Sequence, residues 1–223
     1  MSAPSRSEWI RVSCAALCRI EHVGRFLLML NSNRREKGVY VLSPIGGALS
    51  LFDPLRLVEF GAIPEDPNSA DLRLTMRRAL LPEFRQWFSR GEGRERSPFR
   101  ELQEELVVES GLLRELEPEE VTCTYLWTVE QELFTDRQGQ TGLLTHYFLE
   151  IHDIKFNTEA ALGPLLVAPE KSGVVWLPAE QIDQLGTIQL HIDGALREVQ
   201  LHGQIVLHPP QPTGGVSRLL PAT

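Results

Sequence analysis

The chain has 223 residues and a mass of 25.2 kDa, 42% hydrophobic and 23% charged. That length and balance support one sizeable core and exclude disordered, collagenous and coiled-coil classes. The formal charge of −8 argues against non-specific nucleic-acid binding. Of the 22 cations, 19 are Arg, whose forked guanidinium suits carboxylate and phosphate contacts. Cys14, Cys18 and Cys123 are too few for a four-thiolate zinc site or a disulfide framework and fit a reducing compartment. Arg6, Arg11 and Arg19 interrupt the early apolar runs, and no stretch approaches the ~18 uncharged residues of a membrane span. The expectation is a soluble cytoplasmic protein.

In chain order, Ile10 to Ile20 and Arg25 to Leu30 are β-like runs joined by Glu21-His22-Val23-Gly24, which predicts a hairpin. Cys14 and Cys18 stand an even number apart on the first run and share a face as small apolar groups. A third strand over residues 38–42 leads into Ser43-Pro44-Ile45-Gly46-Gly47, where paired glycines let backbone approach a ligand. From Leu51 onward Pro54, Pro64 and Pro67 mark a loop-like stretch, and Ala70 to Ser89 reads as a helix interrupted at Pro82. Residues 48–90 are therefore expected to form a self-contained helical insert. Between Asp71 and Arg96 seven Arg (73, 77, 78, 85, 90, 94, 96) outnumber four acids. That pattern suits a solvated, salt-bridged face, with a basic rim for a polyphosphate as the sharper alternative.

The next helix, from Pro98 to Ser110, carries Arg100-Glu101-Leu102-Gln103-Glu104-Glu105-Leu106. At about 100° per residue, Glu101, Glu104 and Glu105 gather on one side, and Phe99, Leu102 and Leu106 on another. Clustered carboxylates cost an isolated helix a few tenths of a kcal/mol per pair, a penalty that a divalent cation reverses. Oxygen-only donors of this kind suit Mg²⁺ or Mn²⁺. Further on, Val121 to Leu133 and Thr145 to Ile151 read as strands whose Tyr125, Trp127, His146 and Tyr147 belong to the core or stack on a nucleobase. His152-Asp153 lacks the remainder of a metal-binding constellation, and no P-loop, dinucleotide or serine-hydrolase motif is present. Residues 208–223 form a Pro/Gly-rich tail.

The run from Arg100 to Glu105 resembles the core of the Nudix box, G-x5-E-x7-R-E-U-x-E-E-x-G-U with U aliphatic. Glu92 follows Gly91 and precedes Arg100 by eight positions, Pro44-Ile45-Gly46-Gly47 resembles the diglycine that opens the box, and Val174 to Ile182 is similar to the strand-to-helix segment that ends such domains. Two departures stand out. Gly47 and Arg100 are 53 positions apart where the motif allows about fourteen, so the box is split by an insertion. Val107 replaces the closing glycine, and the nearest one is Gly111, which would suit a helix prolonged by one turn. A split box with an insert ending in Trp87-Phe88 is similar to the SMODS-associated Nudix domains of bacterial nucleotide-signalling defence systems.

The resemblance implies an α/β fold, a Nudix-like mixed sheet sandwiched between helices over residues 1–207, with the helical insertion inside the box. It implies Mg²⁺ or Mn²⁺ held by Glu101, Glu104 and Glu105 with a Gly46 or Gly47 carbonyl, and Glu92 as an outer ligand. Arg100 would order the carboxylates, and Glu101 and Glu105 would serve the chemistry with Gly46 and Gly47 at the substrate. The general base is then a box glutamate or one from a later loop, with Glu159 and Glu170 as positions. The implied activity is hydrolysis of a pyrophosphate linkage in a nucleoside diphosphate derivative. The split box and missing glycine suit the alternative, an inactive nucleotide sensor or partner-binding module, and a homodimer built on the insert is compatible with both. The partner is a nucleotide-type small molecule in either case, with no membrane and no stable nucleic-acid binding.

Overall fold

A computed structural model describes residues 8–135, 139–184 and 186–210; most of the predicted tail lies outside them. The first run becomes β1 (Trp9–His22), the spine of the molecule, on which every even position from Ile10 to Ile20 is buried. The chain reverses at Val23 and Gly24, both at positive φ, into β2 (Arg25–Leu30), giving the expected hairpin. A short helix α1 (Ser32–Arg35), capped by the Asn31 side chain, leads to β3 (Val41–Ser43) and β4 (Gly46–Ala48).

The segment after β4 differs from its sequence expectation. It holds α2 (Leu55–Glu59), β5 (Ile63–Pro64), β6 (Arg73–Arg77) and only then α3 (Leu81–Arg90). The first part of the predicted helix is a strand because Leu72, Leu74 and Met76 are buried at period two against the antiparallel edge of β1. Pro82 sits in the first turn of α3, where its missing N–H costs nothing, so it starts the helix instead of breaking it. Phe84, Trp87 and Phe88 of α3 are buried against Phe60 and against Phe148 of the main sheet. The segment is thus part of the central sheet and core.

The box helix α4 (Phe99–Leu102) continues through Gln103–Glu109 with wider turns, Ser110 N–H donating to Glu105 O five residues back at 3.1 Å. Gly111 follows at φ 61°, the position where a chain leaving a helix favours glycine. The strands β7 (Val121–Phe134) and β8 (Leu144–Phe156) form a long antiparallel pair, with β8 parallel to β1. Then come α5 (Glu159–Leu166), β9 (Val174–Pro178), α6 (Ala179–Asp183), β10 (Thr187–Ile192) and β11 (Ala195–Leu201). All the strands join one mixed sheet with β1 at its centre. On β2, Leu27 packs into a cluster with residues of α4 and α5, while Leu28 packs into another with Ile182 of α6, so helices lie on both faces there.

No helix among the described residues is long and apolar enough to cross a membrane. Cys14 and Cys18 are buried on one face of β1, as expected.

Candidate metal centre and its cleft

The site is built where β4, the box helix and the returning end of the inserted segment meet. Gly46 and Gly47 pair with Leu17 and Ala16 of β1, and each is glycine for its own reason. Gly46 has φ +149°, and a Cβ there would lie 2.1 Å from the Ala16 carbonyl oxygen. At Gly47 a Cβ would lie 2.1 Å from Glu101 Oε2, so the Glu101 carboxylate fills the space that a side chain would occupy. The Gly46 N–H donates to Glu105 Oε1 at 3.1 Å. Leu102 and Leu106 are buried on Cys18, Ile20 and Ile154, which turns the carboxylate side of the helix to the diglycine.

Arg100 organises the acids. Its Nη2 donates to the Ala48 carbonyl at 2.6 Å and to Glu95 Oε2 at 3.0 Å and lies 2.8 Å from Glu101 Oε1, while Nη1 donates to both Glu104 oxygens at 2.9 and 3.0 Å. Burial alone would lower the Arg100 pKa, but the hydrogen bonds from Glu95 and Glu104 and the charge of Glu101 reverse this and raise it. Burial pushes the Glu105 carboxyl up to about 7, the Gly46 N–H opposes it, and Glu101, Glu109 and Glu104 add to the rise. Glu101 is raised too, chiefly by burial, against the pull of Arg100.

Gly46, Gly47, Arg100, Glu101, Glu104 and Glu105 line a cleft of about 280 Å³ together with Asn31, Ser32, Ser43, Asp71, Arg73 and Glu109. Of the sequence-predicted residues, Gly46, Gly47, Arg100, Glu101, Glu104 and Glu105 come together here. Glu92 does not. Its side chain is 60% exposed and faces Arg90 at 3.9 Å, outside the cleft. The E-x7-R spacing presumes an uninterrupted loop, whereas α3 ends at Gly91 (φ 68°) and the chain then pairs with the start of the insertion. Phe52 N–H donates to Gly93 O and Glu95 N–H to Ser50 O, both at 2.8 Å, and Leu51 bridges Arg94. That pairing turns Glu92 outward and Glu95 inward, where Glu95 accepts from Ser50 N–H at 2.9 Å and from Arg100.

Glu95 is therefore the residue that sequence spacing misses. Glu109 was within reach of the sequence, since it lies four residues after Glu105; Ser32 Oγ donates to it at 3.4 Å. Glu159 and Glu170 are both outside the cleft: Glu159 is exposed in the first turn of α5, and Glu170 accepts from His191 N–H at 2.9 Å. None of the aromatic candidates lines the cleft, and two are engaged elsewhere. Tyr125 Oη meets Thr128 Oγ1 at 3.0 Å, and His146 lies between Glu130 at 2.7 Å and Glu132 at 3.2 Å.

Among the described residues no three donor groups converge on one point, because Glu101 and Glu104 are drawn to Arg100 and Glu105 to Gly46. The residues nonetheless fit a hard divalent cation. Five carboxylates face one cleft beside backbone too close-packed for any side chain. Like charges so placed raise one another's proton affinity, a condition that a cation relieves. The donors are oxygen only, which matches Mg²⁺ or Mn²⁺.

A diglycine strand against a spine strand, followed by a helix whose Arg-Glu pair and Glu-Glu pair face it, defines a Nudix-type domain. The family described as the SMODS-associated NUDIX domain matches residues 9–206, and this chain belongs to it. No curated protein matches the chain.

Proposed function

We propose that this domain hydrolyses a pyrophosphate linkage in a nucleoside diphosphate derivative, using Mg²⁺ or Mn²⁺, within a bacterial nucleotide-signalling defence system in the cytoplasm. The observation that carries this reading is the meeting of Glu101 with Gly47 and of Glu105 with Gly46, pairs 54 and 59 positions apart in the chain. Chance would not restore both contacts.

Glu101, Glu104 and Glu105, with a Gly46 or Gly47 carbonyl, would hold the cation. When bound, such an ion neutralises phosphate charge and lowers the pKa of a coordinated water. Arg100 orders the ligands by pairing with Glu101 and Glu104 while Glu95 holds it from behind, and so acts on the ligands, not on the substrate. One of the cleft carboxylates takes the proton of the attacking water; Glu159 and Glu170 are too far outside the cleft for that task.

The test is a panel of nucleoside triphosphates, dinucleotides, ADP-ribose and cyclic oligonucleotides, incubated with Mg²⁺ or Mn²⁺ and read by phosphate release and chromatography. Turnover of one class is expected, with Glu105→Gln and Glu104→Gln each lowering it about 10- to 100-fold at an unchanged melting temperature. Full activity in both variants overturns the reading. A compound that raises the melting temperature without being consumed replaces it with the sensor alternative.

A further inference from the structure

The cleft has a pronounced charge imbalance. Glu101, Glu104, Glu105, Glu109 and Asp71 line it, and its cations are Arg73 and Arg100. Arg100 is committed to three glutamates and the Ala48 carbonyl. A pyrophosphate carries more negative charge than one divalent cation neutralises. The remainder needs a donor of its own.

We infer that Arg73, delivered by the segment that splits the box, binds the second phosphate of the substrate, and that Asp71 holds its guanidinium until substrate arrives. This rests on the hydrolase reading and extends it to the residue that selects diphosphate over monophosphate compounds.

The topology supports this directly. The strands β6 and β4 pair end to end with the same edge of β1: Arg73 stands opposite Ser13, and Ala48 opposite Ala15. Those positions are two residues apart on β1, roughly 7 Å along the strand, a distance that the long side chain of Arg73 can span. Of the seven arginines between Asp71 and Arg96, Arg73 is the one that lines the cleft. Arg78, Arg85 and Arg94 are turned to Glu132, Glu130 and Glu150.

Asp71 meets Arg73 at 2.6 Å, with side chains 30% and 26% exposed. A part-exposed pair of this kind is weak, whereas a phosphate takes both arms of a guanidinium. A phosphate that replaces Asp71 thus gives the guanidinium a second charged bond in place of one. Asp71 in turn is fixed by its bridge to Ser50, beside the closure of the insertion.

The experiment is calorimetric titration of the full chain with imidodiphosphate in excess Mg²⁺, beside Mn²⁺ alone. Arg73→Gln should weaken imidodiphosphate at least 10-fold and Arg73→Lys by less, with Mn²⁺ affinity unchanged in both. Asp71→Asn should tighten imidodiphosphate several-fold, and this gain should vanish in the Arg73→Gln background. A purely structural pair would weaken binding in both single variants. Wild-type affinity in Arg73→Gln, or weaker binding in Asp71→Asn, overturns the inference; if Arg73→Gln does not fold, Arg73→Lys and the sign of Asp71→Asn decide. Wild type that fails to bind imidodiphosphate removes this inference and the hydrolase reading together. Binding that depends on Arg73 without turnover of any nucleotide removes the hydrolase reading alone.

Discussion

The two glycines of β4 allow the fold and the metal centre to be separated by a single methyl group. At Gly47 an added Cβ would lie 2.1 Å from Glu101 Oε2 and 2.5 Å from its Cδ, more than 1 Å inside an ordinary contact. What must move is the end of a flexible side chain, so Gly47→Ala should shift stability by no more than about 0.5 kcal/mol. The displaced carboxylate should weaken Mn²⁺ binding about 10- to 100-fold. At Gly46 the same methyl meets backbone, 2.1 Å from Ala16 O and 2.9 Å from Leu17 Cα, at φ +149°. Relief there requires β4 to part from β1, which combines backbone strain and overpacking of roughly 3 kcal/mol. For a domain of this size that lowers the melting temperature by about 6–12 °C. Melting curves of both variants and Mn²⁺ titration calorimetry of Gly47→Ala check this. A Gly47→Ala protein that binds Mn²⁺ like the wild type, or melts as low as Gly46→Ala, refutes the reasoning.

Two further outcomes concern the buried charges beneath α3. Arg94 is 4% exposed, donates to the Phe88 and Glu95 carbonyls, and pairs with Glu150 on β8. Arg94→Met should therefore cost about 3–5 kcal/mol by leaving Glu150 buried without its guanidinium partner, and Arg94→Met with Glu150→Leu should recover part of it; denaturant melts that rank the double variant below the single one contradict the argument. Burial would raise the carboxyls of Glu130 and Glu150, but Glu130 is pulled below the usual range by His146 and Arg85, and Glu150 by His152 and Arg94. Their ionised forms stabilise the fold, so this contribution is complete above the unfolded carboxylate value of about 4.3 and is lost as the pH falls below it. Melting temperatures from pH 7 to 3 should show that loss, with a shallower slope in Glu130→Gln.

Much of this was legible in the sequence because it is local. The hairpin at Val23-Gly24, the diglycine, the carboxylate side of the box helix and the β9–α6 segment each rest on patterns within a dozen residues. The strand β6 was not legible. Leu74 and Met76 within it, and Leu72 just before it, are few and lie among arginines, so an apolar period of two and one of 3.6 both fit. Pairing with β1, sixty positions away, decides between them. Glu95 was hidden for a related reason: motif spacing counts residues along the chain, and the insertion changes which of them return to the site. Asp71 and Arg73 enter the cleft only through that same pairing.

An interruption inside a metal-binding motif is tolerable when its ends leave and return at one place. Lengthening the connection from about fourteen to about fifty residues is two doublings, an entropy cost of roughly 1.2 kcal/mol. Burial of Phe84, Trp87 and Phe88 contributes about 1.5–3 kcal/mol for each side chain and anchors the insertion on the core. The remaining requirement is register, because a slip at the seam would swing Arg100 away from its glutamates. Ser50 and Glu95 meet it: their backbones pair, and the Glu95 carboxylate joins the Ser50 N–H to Arg100. One acid thus ties the point of departure, the point of return and the head of the box helix together. A segment anchored in that way is free to vary its interior, including what β6 presents to the cleft, without disturbing the carboxylates.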